Sequence, residues 1–414
     1  MLVDFNSSPS YKMHIDLNSC FATIEQQANP LLRGKPTAVA AYNSPSGCIL
    51  AASIEAKKLG IKTGMRVKDG RDIYKNLVVL TPDPWKYRHV HLKLRKLIGS
   101  YTNNFEAKSI DEFVLNMENY PAYKIGMKNV ANEIKLRIKK EIGEWLTVSI
   151  GIAPNRYLAK IAAGLNKPDG LDEINKKTFQ DIYSKLKLTE LTGIKERNQI
   201  RLNSVGIYTV LDFYQAPVWK LKAAFHSITG LYWHTRLAGH EIDDVTFGRR
   251  SYGNSTALGA NVSTRNEIMP ILSNLVEKMS SRLRNAGYKA SGIHLAIFYK
   301  DNTFWHRGES FYEDLFDSRD IFKGALLMLD RHPFGKPIRN IAVSVFDLNK
   351  NNNLQLSFFD NVERKEKIMK TVDSLNKRWG DFVITPGRML NRKQKVQDRI
   401  AFGGVKELEE FTLS

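Results

Sequence analysis

Three acidic residues stand where they could bind metal ions together. Asp16 lies in the stretch KMHIDL, and Asp111 and Glu112 are neighbours in the stretch SIDEF. Carboxylate oxygens suit Mg²⁺, and two such ions can promote an in-line phosphoryl displacement, so nucleotidyl transfer is the reaction that this set fits best. The alternative is that Asp111 and Glu112 form an exposed turn and that Asp16 caps a helix.

These carboxylates can converge only if two distant strands pair in one sheet. Residues 12–17 and 106–117 alternate as strands do, which predicts Asp16 near one strand's end and Asp111 with Glu112 on another. Adjacent strand residues point to opposite faces, so both can reach one site only at a strand end or a bulge. Residues 122–142 predict one long amphipathic helix, and the first ~170 residues predict an α+β domain.

Beyond this domain the sequence pattern changes twice. Residues 188–213 contain short helical segments around Gly193 and Gly206, which indicates a helix-hairpin-helix arrangement. Residues 240–253 lose apolar periodicity and predict a linker. After it, the pattern predicts the βαββαβ order of a ferredoxin-like domain, with elements at 255–262, 265–286, 292–299, 303–307, 319–331 and 338–348.

The chain is strongly basic, with 62 lysine and arginine residues against 43 acidic ones and a net charge of +19. Nucleic acid is the partner that this charge indicates first, and an anionic membrane is the second. Cys20 and Cys48 belong to no zinc-type cluster, so disulfides and structural zinc are not expected. No signal peptide or membrane span is visible, and we expect a soluble, cytoplasmic protein.

Four motifs, taken in order, resemble those of the Y-family, or translesion, DNA polymerases. They are HIDLNSCFATIEQQANPLLRGKP from His14, AASIEAKKLGIKTGM from Ala51, KSIDEFVLNM from Lys108 and LTVSIGIAPNRYLAKIAAGLNKPDG from Leu146. The resemblance implies an α+β multidomain, right-hand polymerase. Its domains would be a palm at 1–20 and 80–172, fingers at 21–79, a helix-hairpin-helix thumb at 173–240, a linker at 241–253 and a ferredoxin-like little finger at 254–402.

The resemblance also assigns the metal site. Asp16, Asp111 and Glu112 would be the catalytic carboxylates and would bind two Mg²⁺ ions, with the main-chain carbonyl of Leu17 as a further ligand. The interpretation from residue chemistry and the one from family motifs therefore name the same three carboxylates.

A second set of implied residues would bind the incoming nucleotide. Phe21 would be the steric gate that leaves no room for a 2′-hydroxyl, and an ordinary core phenylalanine is the alternative. Lys57, Lys167 and, as a weaker candidate, Lys160 would bind the triphosphate, and solvated surface lysines are the alternative. Many family members carry tyrosine and arginine where this chain has Ile54 and Lys57.

Two C-terminal features point to partners. The segment QLSFF resembles the peptide by which bacterial polymerases dock to the sliding clamp, and a buried edge strand is the alternative; its binding residues would be Gln355, Leu356, Phe358 and Phe359. Residues 378–406 are rich in lysine and arginine, including Arg388, and predict a surface that follows DNA phosphates, with an ordinary solvated face as the alternative.

The function implied by the resemblance is template-directed addition of deoxynucleotides to a primer 3′ end, at low fidelity and across damaged templates. We expect a monomer whose partners are primer–template DNA, dNTP and the sliding clamp. A non-catalytic DNA-binding or clamp-recruiting protein is one alternative. A metal-dependent nuclease is another, since it would use the same ions without needing Phe21 or the triphosphate lysines.

Overall fold

The computed structural model of this chain describes residues 4–245, 248–333, 335–350, 362–380 and 382–390. The chain divides into two units between Val245 and Thr246. The predicted clamp-binding peptide, 355–359, and the part of the predicted basic stretch beyond residue 390 lie outside the described residues.

The first unit alternates short strands with helices. Its strands are β1 (Lys12–Leu17), β2 (Thr37–Ala40), β3 (Ile49–Ala52), β4 (Val78–Leu80), β5 (Phe105–Ala107), β6 (Glu112–Asn116), β7 (Val148–Ala153) and β8 (Leu171–Glu173). Its helices are α1 (Cys20–Ala28), α2 (Ile54–Lys58), α3 (Val67–Ile73), α4 (Pro84–Gly99), α5 (Met127–Arg137), α6 (Arg156–Leu165), α7 (Phe179–Lys185), α8 (Glu196–Asn203), α9 (Val210–Gln215), α10 (Val218–Phe225) and α11 (Thr229–Leu237).

A five-stranded sheet in the order β5-β6-β1-β7-β8 supports the predicted acidic site. On the central strand β1, the side chains of Met13, Ile15 and Leu17 point into the hydrophobic core, which α1, α4 and α5 cover. Because side chains alternate along a strand, His14 and Asp16 point to the other face, where α6 contacts β1. The two strands predicted to carry the carboxylates are therefore neighbours in one sheet.

The predicted strand 106–117 is interrupted. It forms β5 and β6 as an antiparallel pair, with residues 108–111 in the connection between them. Ser109 stabilises this connection, because its Oγ accepts a hydrogen bond from the Glu112 N–H at 3.1 Å and donates one to Asp111 Oδ1 at 2.5 Å. Asp111 thus lies outside the strand pleat, which removes the conflict between two adjacent carboxylates.

The predicted continuous helix 122–142 is also interrupted. Residues 121–125 form a 3₁₀ segment, α5 begins after Gly126, and a π-helical turn follows at Ile138–Ile142. Gly126 has φ of +90°, a conformation that breaks a right-handed helix and that glycine adopts without steric cost. Apolar periodicity continues across both breaks, so the pattern alone predicts a single helix.

A small three-stranded sheet, in the order β3-β2-β4, forms the lobe inserted after α1. Strand β2 pairs antiparallel with β3 and parallel with β4. A separate apolar cluster that includes Ile49, Ile61 and Val67 holds this lobe together. Ser53 caps the N-terminus of helix α2, because its side chain accepts a hydrogen bond from the Ala56 N–H.

Helices α7 to α11 form the predicted helix-hairpin-helix region around Tyr183, Phe213 and Trp233. Gly193 precedes α8 and Gly206 lies between α8 and α9, with φ of +93° and +71°. A side chain at Gly193 would lie 3.2 Å from the Trp233 ring, so the first hairpin needs glycine for both conformation and space.

The second unit has the predicted βαββαβ order. Its elements are β9 (Ser251–Val262), α12 (Arg265–Asn285), β10 (Lys289–Tyr299), β11 (Phe304–Leu315), α13 (Ser318–Leu329) and β12 (Ile338–Asn349), followed by α14 (Val362–Trp379). The antiparallel sheet has the order β11-β10-β12-β9, so one strand separates the two strands of each β–α–β unit.

All four strands of this sheet are longer than predicted, β9 and β11 by the most. Strand β9 begins at Ser251, inside the predicted linker, and β11 continues to Leu315, well beyond the predicted end at Arg307. β11 is an edge strand with mostly exposed side chains, so it lacks the apolar alternation that marks a half-buried strand.

Helix α14 packs beside α12 and α13. Arg284 of α12 forms a bidentate ion pair with Asp373 of α14, at 2.6 and 2.7 Å, and Lys365 of α14 pairs with Asp320 of α13 at 2.9 Å.

Across the described parts of the chain, no helix is both long enough and apolar enough to cross a lipid bilayer.

Candidate active site

Asp16 and Glu112 are direct partners in the antiparallel pair of β1 and β6. Asp111 lies one residue earlier, in the β5–β6 connection, and its main-chain carbonyl accepts a hydrogen bond from the Leu17 N–H at 3.0 Å. This bond extends the pairing of the two strands past the carboxylates. The register therefore places Asp16, Leu17 and the pair Asp111 and Glu112 at one edge of the sheet.

A metal ion could be held at this edge. The donor atoms of His14, Asp16 and Glu112 lie within 4.8 Å of one another, and the set is mostly oxygen, as a hard divalent cation requires. Asp111 is not in that cluster but lines the same cavity as Asp16. Burial raises the pKa of Asp111, as do the Asp16 and Glu112 charges, while Ser109 opposes the shift. A cation would relieve this repulsion.

The sequence patterns did not predict that His14 lies at this acidic site. It lies two positions before Asp16 on the same face of β1, is 1% exposed, and places its Nε2 3.9 Å from Glu112 Oε1. The alternation of strand side chains was the signal that could have indicated it, since residue 14 must share the face of residue 16.

Two of the predicted lysines are paired with the carboxylates. Lys160 of α6 donates to both oxygens of Glu112 at 2.7 Å, and Lys167 lies 2.6 Å from Asp16 Oδ2. Burial alone would raise the pKa of Glu112, but His14 and Lys160 outweigh it and lower that pKa to about 2. Glu112 therefore stays ionised throughout the neutral pH range.

A cavity of about 650 Å³ opens beside the carboxylates. The five-stranded sheet and the inserted lobe both line it: Asp16, Leu17 and Asp111 lie at the sheet, and Ile54 and Lys57 belong to α2 of the lobe. Its volume lies in the range of small-molecule sites, which run from ~300 to ~1,000 Å³. The structure thus brings six of the eight predicted metal- and nucleotide-binding residues to one opening, while Glu112 and Lys160 do not line it.

Phe21 forms part of the cavity wall. Its ring is 2% exposed and stacks on Tyr87, with ring centres 4.2 Å apart and planes 9° from parallel. The Tyr87 hydroxyl donates to Glu25 Oε1 at 2.9 Å, so the ring that supports Phe21 is itself fixed by α1. Phe21 is therefore a rigid wall rather than a mobile side chain.

Lys57 and Lys167 face the same cavity from two different elements. Burial lowers the pKa of Lys57, the Lys167 charge lowers it further, and Asp16 partly opposes this. Two mutually repelling ammonium groups indicate a place for a polyanion. Lys160, by contrast, is absent from the cavity lining, and its contact is with Glu112.

Arg388, which belongs to the basic stretch predicted to follow DNA, has partners inside the second unit. Its Nε donates to Ser273 Oγ at 2.6 Å, its guanidinium lies 3.4 Å from Glu277, and it stacks over Phe322 at 4.1 Å. These contacts hold Arg388 against the helices of the second unit, so its charge is used within that unit. Sequence shows the charge of an arginine but not the acidic partner that meets it.

Sequence comparisons find one family along the chain. The model of the impB/mucB/samB family matches residues 15–164, and that of the family's C-terminal domain matches residues 249–358. DNA polymerase IV 1 of Bacillus subtilis is 30% identical over 92% of this chain and 93% of its own length. DNA polymerase IV of Moorella thermoacetica is 33% identical over 89% of this chain and 93% of its own length.

Structural comparison leads to the same group. A Y-family DNA polymerase chimera of Dbh and Dpo4 superimposes with a TM-score of 0.71 at 26% identity, covering 82% of this chain and 99% of the chimera. An insertion ternary complex of Dbh DNA polymerase gives a TM-score of 0.55 at 25% identity, covering 82% of this chain and 99% of Dbh.

Proposed function

Because this chain belongs to the impB/mucB/samB family, it is a bacterial Y-family, DNA-directed DNA polymerase, and we propose that it extends primers by two-metal catalysis at the Asp16 site. The observation that carries the proposal is the register that sets Asp16 opposite Glu112, with Asp111 in the adjoining turn and the cavity beside them. Primer–template DNA and dNTP are the substrates, in keeping with the ternary and binary Dbh complexes.

The carboxylates of Asp16, Asp111 and Glu112, with the Leu17 carbonyl, would hold two Mg²⁺ ions. When bound, these ions would activate the primer 3′-hydroxyl and neutralise charge on the transferred phosphoryl group. Glu112 contributes a permanent negative charge, and Asp111 joins from a connection that the strand pleat does not constrain. Lys160, bonded to both Glu112 oxygens, orients that carboxylate.

We assign the cavity to the incoming nucleotide. Lys57 of α2 and Lys167 of the loop after α6 bind its triphosphate, and Phe21 lies against its sugar. The phenylalanine ring cannot move aside because Tyr87 stacks behind it, so a 2′-hydroxyl meets a fixed obstacle. The small side chains of Ala51 and Ala52 in the cavity lining and the cavity volume of about 650 Å³ support our proposal of low fidelity and tolerance of damaged templates.

DNA would be held without sequence readout. We propose that the main chain of the first hairpin, around Gly193, binds backbone phosphates, whereas the Gly206 N–H of the second hairpin already donates to the Asn203 carbonyl at 2.9 Å. The net charge of +19 supports the same substrate. We further propose that segment 355–359 docks the enzyme to a sliding clamp and that the enzyme acts as a monomer in the cytoplasm.

A primer-extension assay tests the proposal. With Mg²⁺ and dNTPs, the chain should add nucleotides to a primer on an undamaged template and past an abasic site, and Asp111→Ala should abolish both reactions. Asp72→Ala, which removes an exposed carboxylate of α3, is the control and should leave extension unchanged. Shortening of the primer would identify a nuclease, and DNA binding without extension would identify a non-catalytic protein.

A further inference from the structure

The loop after α6 must be held in place for Lys167 to act. Lys167 and the next residue, Pro168, line the nucleotide cavity, and Asp169 and Gly170 connect them to β8. Asp169 has φ of +58°, a left-handed conformation that is uncommon outside glycine and that surrounding contacts have to stabilise. The position of the Lys167 ammonium group thus depends on what anchors this loop.

Asn18 is the main anchor. It follows the metal-site residues of β1, is 4% exposed, and its Oδ1 accepts a hydrogen bond from the Asp169 N–H at 2.8 Å. Its Nδ2 donates to Ser149 Oγ at 2.9 Å, and Thr147 Oγ1 donates to the same Oδ1 at 3.1 Å. One amide side chain therefore joins β7 to the loop that carries Lys167.

The main chain of Asn18 is fixed as well. Its N–H donates to the Thr147 carbonyl at 2.9 Å, and its carbonyl accepts from Thr23 Oγ1 at 2.6 Å. The side chain of Asn18 consequently cannot move without disturbing the segment that begins with Asp16. Ser149 completes the arrangement, because its Oγ also accepts from the Gly170 N–H at 3.3 Å.

Two lysines hold the loop from its other side. Lys135 of α5 donates to the Asp169 carbonyl at 2.5 Å and lies 3.1 Å from Asp169 Oδ1. Lys139, in the π-helical turn, lies 3.0 Å from Asp169 Oδ2. Asp169 is thus held by Asn18 through its N–H and by two ammonium groups through its carbonyl and carboxylate.

We propose that Asn18 is a positioning residue for nucleotide binding. Through its hydrogen bond with the N–H of Asp169, Asn18 couples the metal-binding end of β1 to Lys167, which binds the triphosphate. Asn18 lies two residues after Asp16, and its partner Asp169 lies two residues after Lys167, so one partly buried hydrogen bond joins the two main-chain segments that carry this ion pair. This inference rests on the proposed function, in which Lys167 binds the triphosphate.

A double-mutant cycle tests the coupling. Asn18→Ala should raise the KM for dNTP about tenfold and change kcat by less than about threefold, because the loop would carry Lys167 away from the triphosphate. In a Lys167→Ala background, the same Asn18 substitution should raise KM little further. A merely structural role would lower kcat and add its effect equally in both backgrounds, and that result would overturn the inference.

A milder variant covers the case in which Asn18→Ala fails to fold. Lys139→Met removes one anchor of Asp169 at the surface and should raise the KM for dNTP about threefold with kcat unchanged. Lys140→Met is the matched control, because it removes the same charge from the next residue, which is exposed. Equal KM values for the two variants would contradict the role of the loop anchors.

The same variants distinguish a failure of this inference from a failure of the proposed function. If Lys167→Ala leaves the KM for dNTP unchanged, the assignment of Lys167 to the triphosphate fails, and the inference fails with it. If Lys167→Ala raises KM while Asn18→Ala and Lys139→Met do not, the triphosphate assignment stands and only the positioning role is wrong.

Discussion

His14 of β1 lies directly opposite Gly151 of β7, in the strand pair next to the one that joins Asp16 to Glu112. Helix α6 crosses β7 at this glycine so closely that a Cβ there would lie 2.1 Å from the Ala159 carbonyl oxygen and 2.2 Å from the Ala163 nitrogen. The same helix carries Lys160 to Glu112. The missing side chain of Gly151 therefore sets the distance between α6 and the five-stranded sheet.

Gly151→Ala should destabilise the first unit and lower kcat. The clash is with main-chain atoms, which cannot rotate away, so α6 must shift and take Lys160 with it; we expect a cost of about 1–3 kcal/mol, typical of overpacking. Thermal unfolding and single-nucleotide incorporation kinetics would measure the two effects.

Gly164→Ala is the matched control on the same helix. A Cβ at this exposed position meets no atom within 4 Å, and alanine favours helix over glycine, so stability should rise by about 0.5–1 kcal/mol with kcat unchanged. Similar losses of stability and kcat in both variants would contradict the role of Gly151 in setting the distance between α6 and the sheet, because any change on α6 would then have the same effect.

Phe21→Leu should weaken the discrimination against ribonucleotides. The smaller side chain leaves space where the fixed ring stood, so the ratio of kcat/KM for dNTP to that for NTP should fall roughly tenfold or more. Phe213→Leu removes a similar ring from the buried core around α9 and should leave the ratio unchanged. A preserved ratio in Phe21→Leu would leave Phe21 as a core residue only.

His332 should make the second unit lose stability in acid. The side chain is 3% exposed and stacks on Tyr299 at 5.6 Å, and burial lowers its pKa. In the unfolded chain, this histidine binds a proton near its ordinary pKa of about 6.5, whereas in the folded chain it stays neutral to a lower pH. The free energy of unfolding should therefore fall as the pH drops from about 6.5 toward the pKa of the folded state.

Urea unfolding at pH 7.5 and at pH 5.5 would measure this dependence. His332→Gln should reduce the difference between the two free energies of unfolding, and His89→Gln, which changes an exposed residue of α4, should not. Burial also lowers the pKa of His234 and His294, so part of the difference should remain. An unchanged difference in His332→Gln would show that His332 does not contribute.

Deletion of residues 355–359 should remove stimulation by the sliding clamp while sparing extension on naked DNA. The apolar side chains of this peptide, Leu356, Phe358 and Phe359, would supply the anchor, and Gln355 would supply directed hydrogen bonds. Deletion of the neighbouring polar residues 351–353 is the control. Clamp stimulation that survives the first deletion would place the docking site elsewhere.

The amino-acid sequence predicted the reaction class and most of the site. The order of the motifs around Asp16, Asp111 and Lys167 led to the Y-family polymerases, and the βαββαβ order of the second unit was confirmed. Such features are local, because a motif is a short run of residues and a strand or helix shows its own periodicity.

Other features of the site involve residues far apart in the chain. Asn18 meets Asp169, Lys160 meets Glu112, and Arg388 meets Glu277 only after folding. No spacing or periodicity predicts such pairs. The role of His14 and the acidic partner of Arg388 were consequently not predicted.

By itself, then, the sequence determined which residues are the candidates for the chemistry: three carboxylates, a phenylalanine and two lysines in family order. Only the tertiary structure decided how they meet. The register of β1 with β6 puts Asp16 opposite Glu112. The turn that Ser109 stabilises places Asp111 outside the strand. The hydrogen bond from Asp169 to Asn18 holds the loop that carries Lys167. The physical reason is that strand register and long-range hydrogen bonds depend on packing the whole sheet, which no local pattern encodes.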